Sequence, residues 1–351
     1  MKTDRFLEHY ILSLFSDRTS VTLKQLHLIS SGKRTPSVLY TVEKNKLYVL
    51  FSLFPELSLY DWEKIIHYLI SEQLLITEEN RLLLTKKGTE EKNDFLKQYR
   101  FANDLDQLRF STTKQIFWRR FIFITQIFSE YSFQNKQYIP YLSSLEDQNS
   151  VKHWLSSHGK PMELLAVLWY KEVRSTLEAF PSEYSDFIAG HFVGHALSGS
   201  TSRQLRDSFD MSTHHYNILI DQLSFRIGHR EQRAYPLLTS LWRHAHNDCD
   251  EGLTHSARVS KKMLETGAHL NEVASKRKLK PNTIKEHILE CVLVDNWPYF
   301  KRYIDETHYL EVHKLFDADP ALTFTDVKKR VEELDFFSFR LIEIERVRQN
   351  G

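Results

Sequence analysis

The chain has 351 residues, of which 41% are hydrophobic, so it is long enough to bury more than one core. Its 47 lysines and arginines nearly balance its 46 aspartates and glutamates, which excludes a global positive field as the means of attracting nucleic acid. Two cysteines make neither a zinc framework nor a disulfide scaffold, and the most apolar run is interrupted by Arg119 and Arg120. We therefore expect a cytoplasmic protein without a membrane span.

The first 92 residues show apolar residues at helical spacing, followed by two short β-compatible runs. Thr22 and Ser58 are placed to cap helices, and Pro36 suits the first turn of another. The runs LLIT and LLLT surround the polar turn EENR, which predicts a hairpin. Helices followed by a hairpin indicate a winged helix, and the hairpin is either a plain structural element or a wing that contacts DNA. The possible wing contacts are Arg81, Lys86 and Lys87.

The middle of the chain reads as two helical regions, residues 93–182 and 183–250. The first is rich in aromatic residues, which indicates core packing. The second contains a helix, a tight turn and a helix over Ser202 to Leu223, with Ser212 placed to cap the second helix. That second helix carries His214 and His215 without a basic cluster, so it favours structural packing or partner contact over DNA.

The C-terminal region, residues 251–351, contains the segment NEVASKRKLKPNTIKEHI, which predicts a second helix-turn-helix. Val273 and Ala274 face inward on its first helix, Leu279 fills the turn, and Pro281 opens the second helix. Ile284, Ile288 and Leu289 form the buried stripe of that helix, which leaves Asn282, Thr283, Lys285 and Glu286 projecting outward. Short polar and basic residues on the outer face of a second helix are typical of one that enters a major groove.

Basic residues concentrate around this segment. From Ser256 to Glu290 the chain has eight lysines or arginines and four glutamates, a local excess of 8 − 4 = 4 positive charges. Such residues beside a groove-binding helix lie where the phosphates run. The alternatives are a protein-docking element or a solvated basic face. The candidate DNA-binding residues are Lys276, Arg277, Lys278, Lys280, Asn282, Thr283 and Lys285.

The segment NEVASKRKLKPNTIKEHI resembles the C-terminal helix-turn-helix module of RecQ-type DNA helicases and of the YpbB family of Gram-positive bacteria. SARVSKKMLETG before it and FFSFRLIEIERV near the end of the chain are similar to parts of the same module. SSGKRTPSVLY and FPELSLYDWEKIIHYLISEQLL resemble the family's first domain, itself similar to the winged helix that follows a RecQ motor. The resemblance implies an accessory protein that acts with a RecQ-type helicase.

Enzyme signatures are weak along the sequence. His191 and His195, and a group formed by His244, His246, Cys249 and Asp250, have neither the glutamate of HExxH nor paired cysteines, so we predict no metal. SSGKRT resembles the end of a phosphate-binding loop, but helical segments flank it and the earlier glycine is missing. We therefore predict no cofactor and no catalytic residues.

Taken together, these patterns predict a mainly α, multi-domain protein with an N-terminal winged helix, a helical middle and a C-terminal helix-turn-helix. The predicted divisions are residues 1–92, 93–182, 183–250 and 251–351. The leading hypothesis is a non-catalytic protein that binds a RecQ-type DNA helicase and contacts DNA in repair or replication. The alternatives are a free-standing transcription regulator and a metal-dependent enzyme whose histidines converge in space.

Overall fold

A computed structural model of the chain describes residues 5–17, 19–99 and 105–349. The fold is mainly α-helical, as the sequence predicts, and the named strands of the described residues form one antiparallel hairpin. No helix within the described ranges has both the length and the apolar character needed to cross a membrane. The chain forms two compact units, each assembled from separate stretches of sequence.

Unit 1 contains the described residues of Met1–Ser13, Glu90–Leu105 and Phe110–Cys249. Two of its helices, α5 and α6, begin a few residues outside these limits. The helices are α1 (Phe6–Ser13), α5 (Lys86–Gln98), α6 (Gln107–Ser132), α7 (Leu145–Ser157), α8 (Met162–Glu178), α9 (Ser182–Ala189), α10 (Ser202–Ser208), α11 (Thr213–Gly228) and α12 (Pro236–Asp248).

The aromatic residues of α6 form the core of unit 1. Phe117 and Phe121 are fully buried, and their rings lie 5.3 Å from Trp242 and 5.8 Å from Trp169. The buried carboxylate of Glu172 accepts hydrogen bonds from the backbone N–H groups of residues 237 and 238, at the start of α12. These N–H groups have no partner within the helix, so the glutamate satisfies their hydrogen bonds. Its negative charge also interacts favourably with the positive end of the helix dipole.

Unit 2 contains the described residues of Leu14–Thr89, Asp106–Arg109 and Asp250–Gly351. Short 3₁₀ segments lie at Tyr48–Leu50, Asp250–Gly252 and Pro298–Tyr303. The other elements are α2 (Leu23–Ser30), α3 (Pro36–Asn45), α4 (Leu59–Ser71), β1 (Leu75–Glu78), β2 (Arg81–Leu84), α13 (His255–Glu265), α14 (Leu270–Arg277), α15 (Pro281–Asp295), α16 (Glu306–Ala318), α17 (Phe324–Lys328) and α18 (Phe336–Gln349).

The N-terminal part of unit 2 is the predicted winged helix. In the hairpin, Leu75 pairs with Leu84 and Glu78 with Arg81. The two turn residues, 79 and 80, both have positive φ, as a two-residue hairpin of the correct twist requires. An isolated bridge between Val21 and residue 82 adds backbone pairing on the other side of β2. The hairpin therefore extends from the three helices α2, α3 and α4.

The C-terminal part of unit 2 contains α13, the predicted helix-turn-helix in α14 and α15, and then α16 to α18. These last helices pack around a cluster that includes Phe316, Val327 and Phe339. The described residues of 14–89 and 250–349 thus lie in the same unit, although they are far apart in sequence. The four-part division of the chain stays a prediction, because a domain limit concerns independent folding, which contacts alone do not test.

Candidate nucleic-acid interface

The helix-turn-helix is formed by α14, the turn at residues 278–280 (the α14–α15 turn) and α15. Lys278 ends α14 in the left-handed conformation, with φ of 53°, and its N–H donates to carbonyls of the last turn. The N–H of Leu279 donates to the carbonyl of Ala274 at 2.9 Å, and Pro281 opens α15. Ala274 and Ile284 are buried, as the sequence predicts. The backbone therefore reverses sharply between the two helices.

Arg277 lies at the end of α14 but contacts α13. Its guanidinium donates to the carbonyl of Ser256 at 2.6 Å and to the hydroxyls of Ser256 (3.0 Å) and Ser260. The Ser260 hydroxyl also lies 2.8 Å from Nδ1 of His287, a buried residue of α15. Arg277 therefore joins the module's helices, and fewer of its donors are available for a phosphate.

Lys285 also has a partner within the protein. Its ammonium lies 2.6 Å from Oδ2 of Asp335 and 5.2 Å from the centre of the Phe337 ring. Burial opposes ionisation of Asp335, but hydrogen bonds from Lys285 and the Ser338 backbone hold the pKa of Asp335 below its usual value. The pair therefore neutralises one positive charge of the predicted DNA-binding face.

Three of the lysines predicted to bind DNA have no carboxylate partner among the described residues. Lys276, Lys278 and Lys280, which we call the lysine cluster, are all exposed, on the last turn of α14 and in the α14–α15 turn. They alternate with residues whose side chains point toward the protein. The structure thus divides the predicted basic residues into a free group and a group with internal partners.

The polar residues at the start of α15 line a concave surface of about 620 Å³. Asn282 and Glu286 are exposed, whereas Thr283 is half-buried. Besides Asn282, Lys285, Glu286 and Leu289, the concavity is lined by Arg34, Thr35, Pro36 and Ser37 before and within α3, and by Asp335, Phe336 and Phe337 at the start of α18. Only the first turns of α15 therefore present polar side chains to the outside.

The rest of α15 is covered on every side. All eight residues from 287 to 294 are buried, so the outward polar face that the sequence predicts at residues 282–286 does not continue along the helix. Arg34, just before α3, pairs with Glu290 at 3.2 Å, and Glu290 also accepts from the N–H and hydroxyl of Thr254. The guanidinium of Arg348 on α18 donates to the carbonyl of Val292 at 3.0 Å. Segments from both ends of the chain thus enclose this helix.

The predicted wing contacts fall in three different environments. Arg81 donates to the backbone carbonyl of Ser20 at 3.0 Å, and the ammonium of Lys87 donates to the carbonyl of Glu72 at 2.7 Å. Lys86 is exposed and has no ion pair within the described residues. The tip of the hairpin carries exposed Glu78 and Glu79, whose charges repel phosphate. These positions stay predictions, and the acidic tip argues against contact through the tip itself.

The two histidine groups have protein partners. The ring of His191 donates to the carbonyl of Phe187 and lies 2.8 Å from the Tyr216 hydroxyl, and burial lowers the pKa of His191. His195 contacts Glu130, while Nδ1 of His246 lies 2.9 Å from the Thr113 hydroxyl. Among the described residues, no three His, Cys, Asp or Glu side chains are arranged to hold a metal ion.

The helix-turn-helix-like unit of the middle region is formed by α10 and α11. Ser212 caps α11, and its hydroxyl accepts from the N–H of His215. The ring of His215 stacks on Phe6 at 4.2 Å, and Tyr216 packs against Phe187. These contacts support the interpretation of this unit as a packing element of unit 1.

One further basic residue of the C-terminal module was not singled out from the sequence. Lys262 on α13 is exposed and has no ion pair in the described part of the chain, whereas its neighbour Lys261 is buried against Asp295. The helical spacing of SARVSKKMLETG could have separated the two lysines, because Ala257, Lys261 and Leu264 share one face. Lys262 extends the set of candidate phosphate contacts.

Comparison with known proteins supports the assignment of a helix-turn-helix in the C-terminal region. Residues 256–343 match the family described as Helix-turn-helix domain. The chain is 24% identical to Protein YpbB of Bacillus subtilis (strain 168) over 236 residues, 67% of this chain and 66% of that protein. The match thus spans slightly less than two thirds of the relative's length. No solved structure matches the chain.

These comparisons confirm the resemblance inferred from the sequence, both to the YpbB family and to its helix-turn-helix module. The helix-turn-helix and the similarity to Protein YpbB point to a DNA-binding protein.

Proposed function

We propose that this chain binds duplex DNA through the lysine cluster and acts, without catalytic activity of its own, as the partner of a RecQ-type helicase in DNA repair or replication. The observation that carries the DNA contact is the set of three exposed lysines without carboxylate partners at the end of α14 and in the α14–α15 turn. Each lysine that neutralises a phosphate releases counterions, which is the main source of sequence-independent affinity. Arg277 and Lys285 support the geometry instead.

The proposed contact discriminates little between DNA sequences. Asn282, in the first turn of α15, is the exposed side chain best suited to a bidentate contact with a base, namely adenine. Glu286, also exposed, adds a negative charge beside it. Lysines therefore outnumber base-reading groups, and we expect similar affinity for unrelated duplexes. This behaviour suits an accessory protein that must act wherever its helicase works.

The helicase partner is supported by the resemblance, and unit 1 offers a surface on which a protein could dock. Leu164, Val167 and Tyr170 on α8 are 45%, 51% and 62% exposed. Their spacing places the first two on one helical face, and apolar side chains exposed together on a helix are typical of protein contacts. We propose this face of α8 as the contact with the helicase.

A salt titration tests the DNA contact. In the full chain, Lys276→Gln/Lys278→Gln/Lys280→Gln should weaken binding to every duplex and flatten the slope of log K against log salt by about 2.7, or 0.9 per lysine. The matched control removes three exposed lysines of unit 1, Lys136→Gln/Lys160→Gln/Lys171→Gln, and should leave the slope unchanged. Equal slopes and affinities for wild type and the first variant would contradict the proposal.

Co-precipitation with a purified RecQ-type helicase tests the partner. Wild type should retain the helicase, and Leu164→Glu/Val167→Glu should retain much less, because two charges would enter an apolar contact. The lysine-cluster variant is the control and should retain the helicase fully in the absence of DNA. Failure of wild type to retain the helicase would reject the partner and leave the DNA contact to be judged by its own titration.

A further inference from the structure

A small basic pocket lies in unit 1, where the end of α11 meets the connection between α8 and α9. Its volume is about 410 Å³, within the range of about 300 to 1,000 Å³ typical of ligand sites. Arg226 and Arg230 contribute two positive charges, and no acidic residue lines the pocket. We call it the arginine pocket. Its lining residues are Ala179, Phe180, Pro181, Tyr184, Arg226 and Arg230.

The two arginines keep most of their donors available. Arg230 uses its Nε–H to donate to the carbonyl of Arg226 at 3.1 Å, which closes the end of α11. Neither guanidinium forms an ion pair with a carboxylate in the described part of the chain. Exposed arginines elsewhere in unit 1 behave differently: Arg174 pairs with Glu178 at 2.8 Å, and Arg203 with Asp207 at 3.9 Å. The pocket is therefore lined by two arginine side chains whose positive charges are not neutralised by a carboxylate of the described residues.

Aromatic rings hold one of these cations in place. The guanidinium of Arg230 lies 4.7 Å from the centre of the Tyr235 ring and 5.5 Å from that of Phe180. Stacking of a guanidinium on rings fixes its plane without consuming its hydrogen-bond donors. Phe180 and Tyr184, both half-buried, place further ring surface in the pocket. The pocket thus combines oriented cationic donors with aromatic faces.

We infer that the arginine pocket binds one unpaired nucleotide of a single-stranded DNA, with its phosphate on Arg226 and Arg230 and its base stacked on an aromatic ring. Cationic grooves with aromatic side chains bind single strands with little sequence preference, because every base has a π-face and every nucleotide a phosphate. The site consists of residues of unit 1 alone and does not depend on the lysine cluster. It gives the chain a contact for unwound strand in addition to its duplex contact.

Fluorescence anisotropy with a labelled oligo(dT) of 12 nucleotides tests this inference in the full chain. Arg226→Gln/Arg230→Gln should weaken binding at least about tenfold, since two charge-assisted hydrogen bonds are lost. The slope of log K against log salt should flatten by about 1.4, or 0.7 per phosphate contact for a single strand. Phe180→Leu should weaken binding and leave the slope unchanged, because it removes stacking and no charge. Affinity for a blunt duplex should not change in either variant.

The matched control, Arg174→Gln/Arg203→Gln, removes the same charge from ion-paired surface arginines of unit 1 and should bind oligo(dT) like wild type. The lysine-cluster variant separates the two proposals: it should lose duplex affinity and keep its affinity for oligo(dT). If that variant loses both and Arg226→Gln/Arg230→Gln loses neither, the inference is wrong while the proposed function stands.

Photo-cross-linking of wild type gives a test that needs no substitution. An oligonucleotide carrying 5-bromodeoxyuridine should cross-link to peptides containing residues 180–184 or 226–235, identified by mass spectrometry. Cross-links confined to residues 256–290 would overturn the inference. Binding of inorganic phosphate or of an acidic peptide to the pocket, without any binding of oligo(dT), would also overturn the inference. The pocket would then be a site for anions or peptides.

Discussion

Lys278 occupies a backbone conformation that favours glycine. Its φ of 53° and ψ of 40° lie in the left-handed region, where a side chain crowds the following carbonyl. Helices commonly end with glycine at this position, because glycine lacks a Cβ. A lysine here places an exposed charge on the α14–α15 turn at some cost to the stability of the fold.

We expect Lys278→Gly to separate charge from stability. The glycine variant should unfold at or above the melting temperature of Lys278→Ala, because only alanine retains a Cβ in the left-handed conformation. Both variants should flatten the salt slope of duplex binding by about 0.9. Thermal unfolding and the titration are measured on the full chain. A glycine variant less stable than the alanine variant by more than about 1 kcal/mol would contradict the described turn.

The basic residues of this module show how far the sequence could go. Spacing placed Lys276, Arg277 and Lys285 together as phosphate contacts, but their partners differ in the fold. The acceptors of Arg277 lie 17 and 21 residues away, and Asp335 lies 50 residues from Lys285. Local patterns identify a cluster of positive charge, and only tertiary contacts decide which charges remain free.

Helix starts were the elements best predicted from local signals. The hydroxyls of Thr22, Ser58 and Ser212 accept backbone N–H groups at the starts of α2, α4 and α11, and Pro36 and Pro281 open α3 and α15. These features depend on residues three or four positions apart. The extent of burial of α15 could not be predicted in this way, because the helices that cover it, α3 and α18, lie near opposite ends of the sequence.

The contact between α13 and α15 should make stability depend on pH. Burial, followed by the charge of Arg277, lowers the pKa of His287, whereas Glu290 opposes this shift. Below an ordinary pKa near 6.5, the unfolded chain binds a proton that the folded chain does not bind. The free energy of unfolding should therefore fall as the pH drops through 6.5 toward the folded pKa.

Denaturant titrations at pH values from 5 to 8 would measure this dependence. His287→Gln should reduce the slope of the free energy of unfolding against pH, by at most about 1.4 kcal/mol per pH unit. His191→Gln is an informative comparison, because burial also lowers the pKa of His191, in unit 1. Identical slopes for wild type and His287→Gln would show that this histidine does not carry the effect.

Ion pairs across unit 2 join the two ends of the chain. Glu43 on α3 is buried and accepts two hydrogen bonds of 3.0 Å from the guanidinium of Arg348 on α18. Arg34 and Glu290 form a second such pair. The partners are 305 and 256 residues apart. No periodicity or motif of a single sequence could have predicted these pairings, although the elements themselves were predictable.

Breaking the first pair should destabilise unit 2 strongly. Arg348→Met leaves the Glu43 carboxylate buried without its partner, which typically costs about 3 to 5 kcal/mol in the free energy of unfolding. The double variant Glu43→Gln/Arg348→Met should recover part of that loss, because the uncompensated charge is gone. Denaturant unfolding of the full chain measures both. A loss below about 1 kcal/mol in the single variant would mean that the pair is solvated.

The enclosure of α15 limits the number of base pairs whose sequence this helix can recognise. The six residues of α15 before the enclosed part, 281–286, cover about 9 Å along the helix axis, fewer than three base-pair steps at about 3.4 Å each. A reader of so short a stretch meets its preferred bases again within a few turns of any duplex. The position on DNA at which such a protein acts must then be decided by a protein partner or by the shape of the DNA, such as a junction between paired and separated strands.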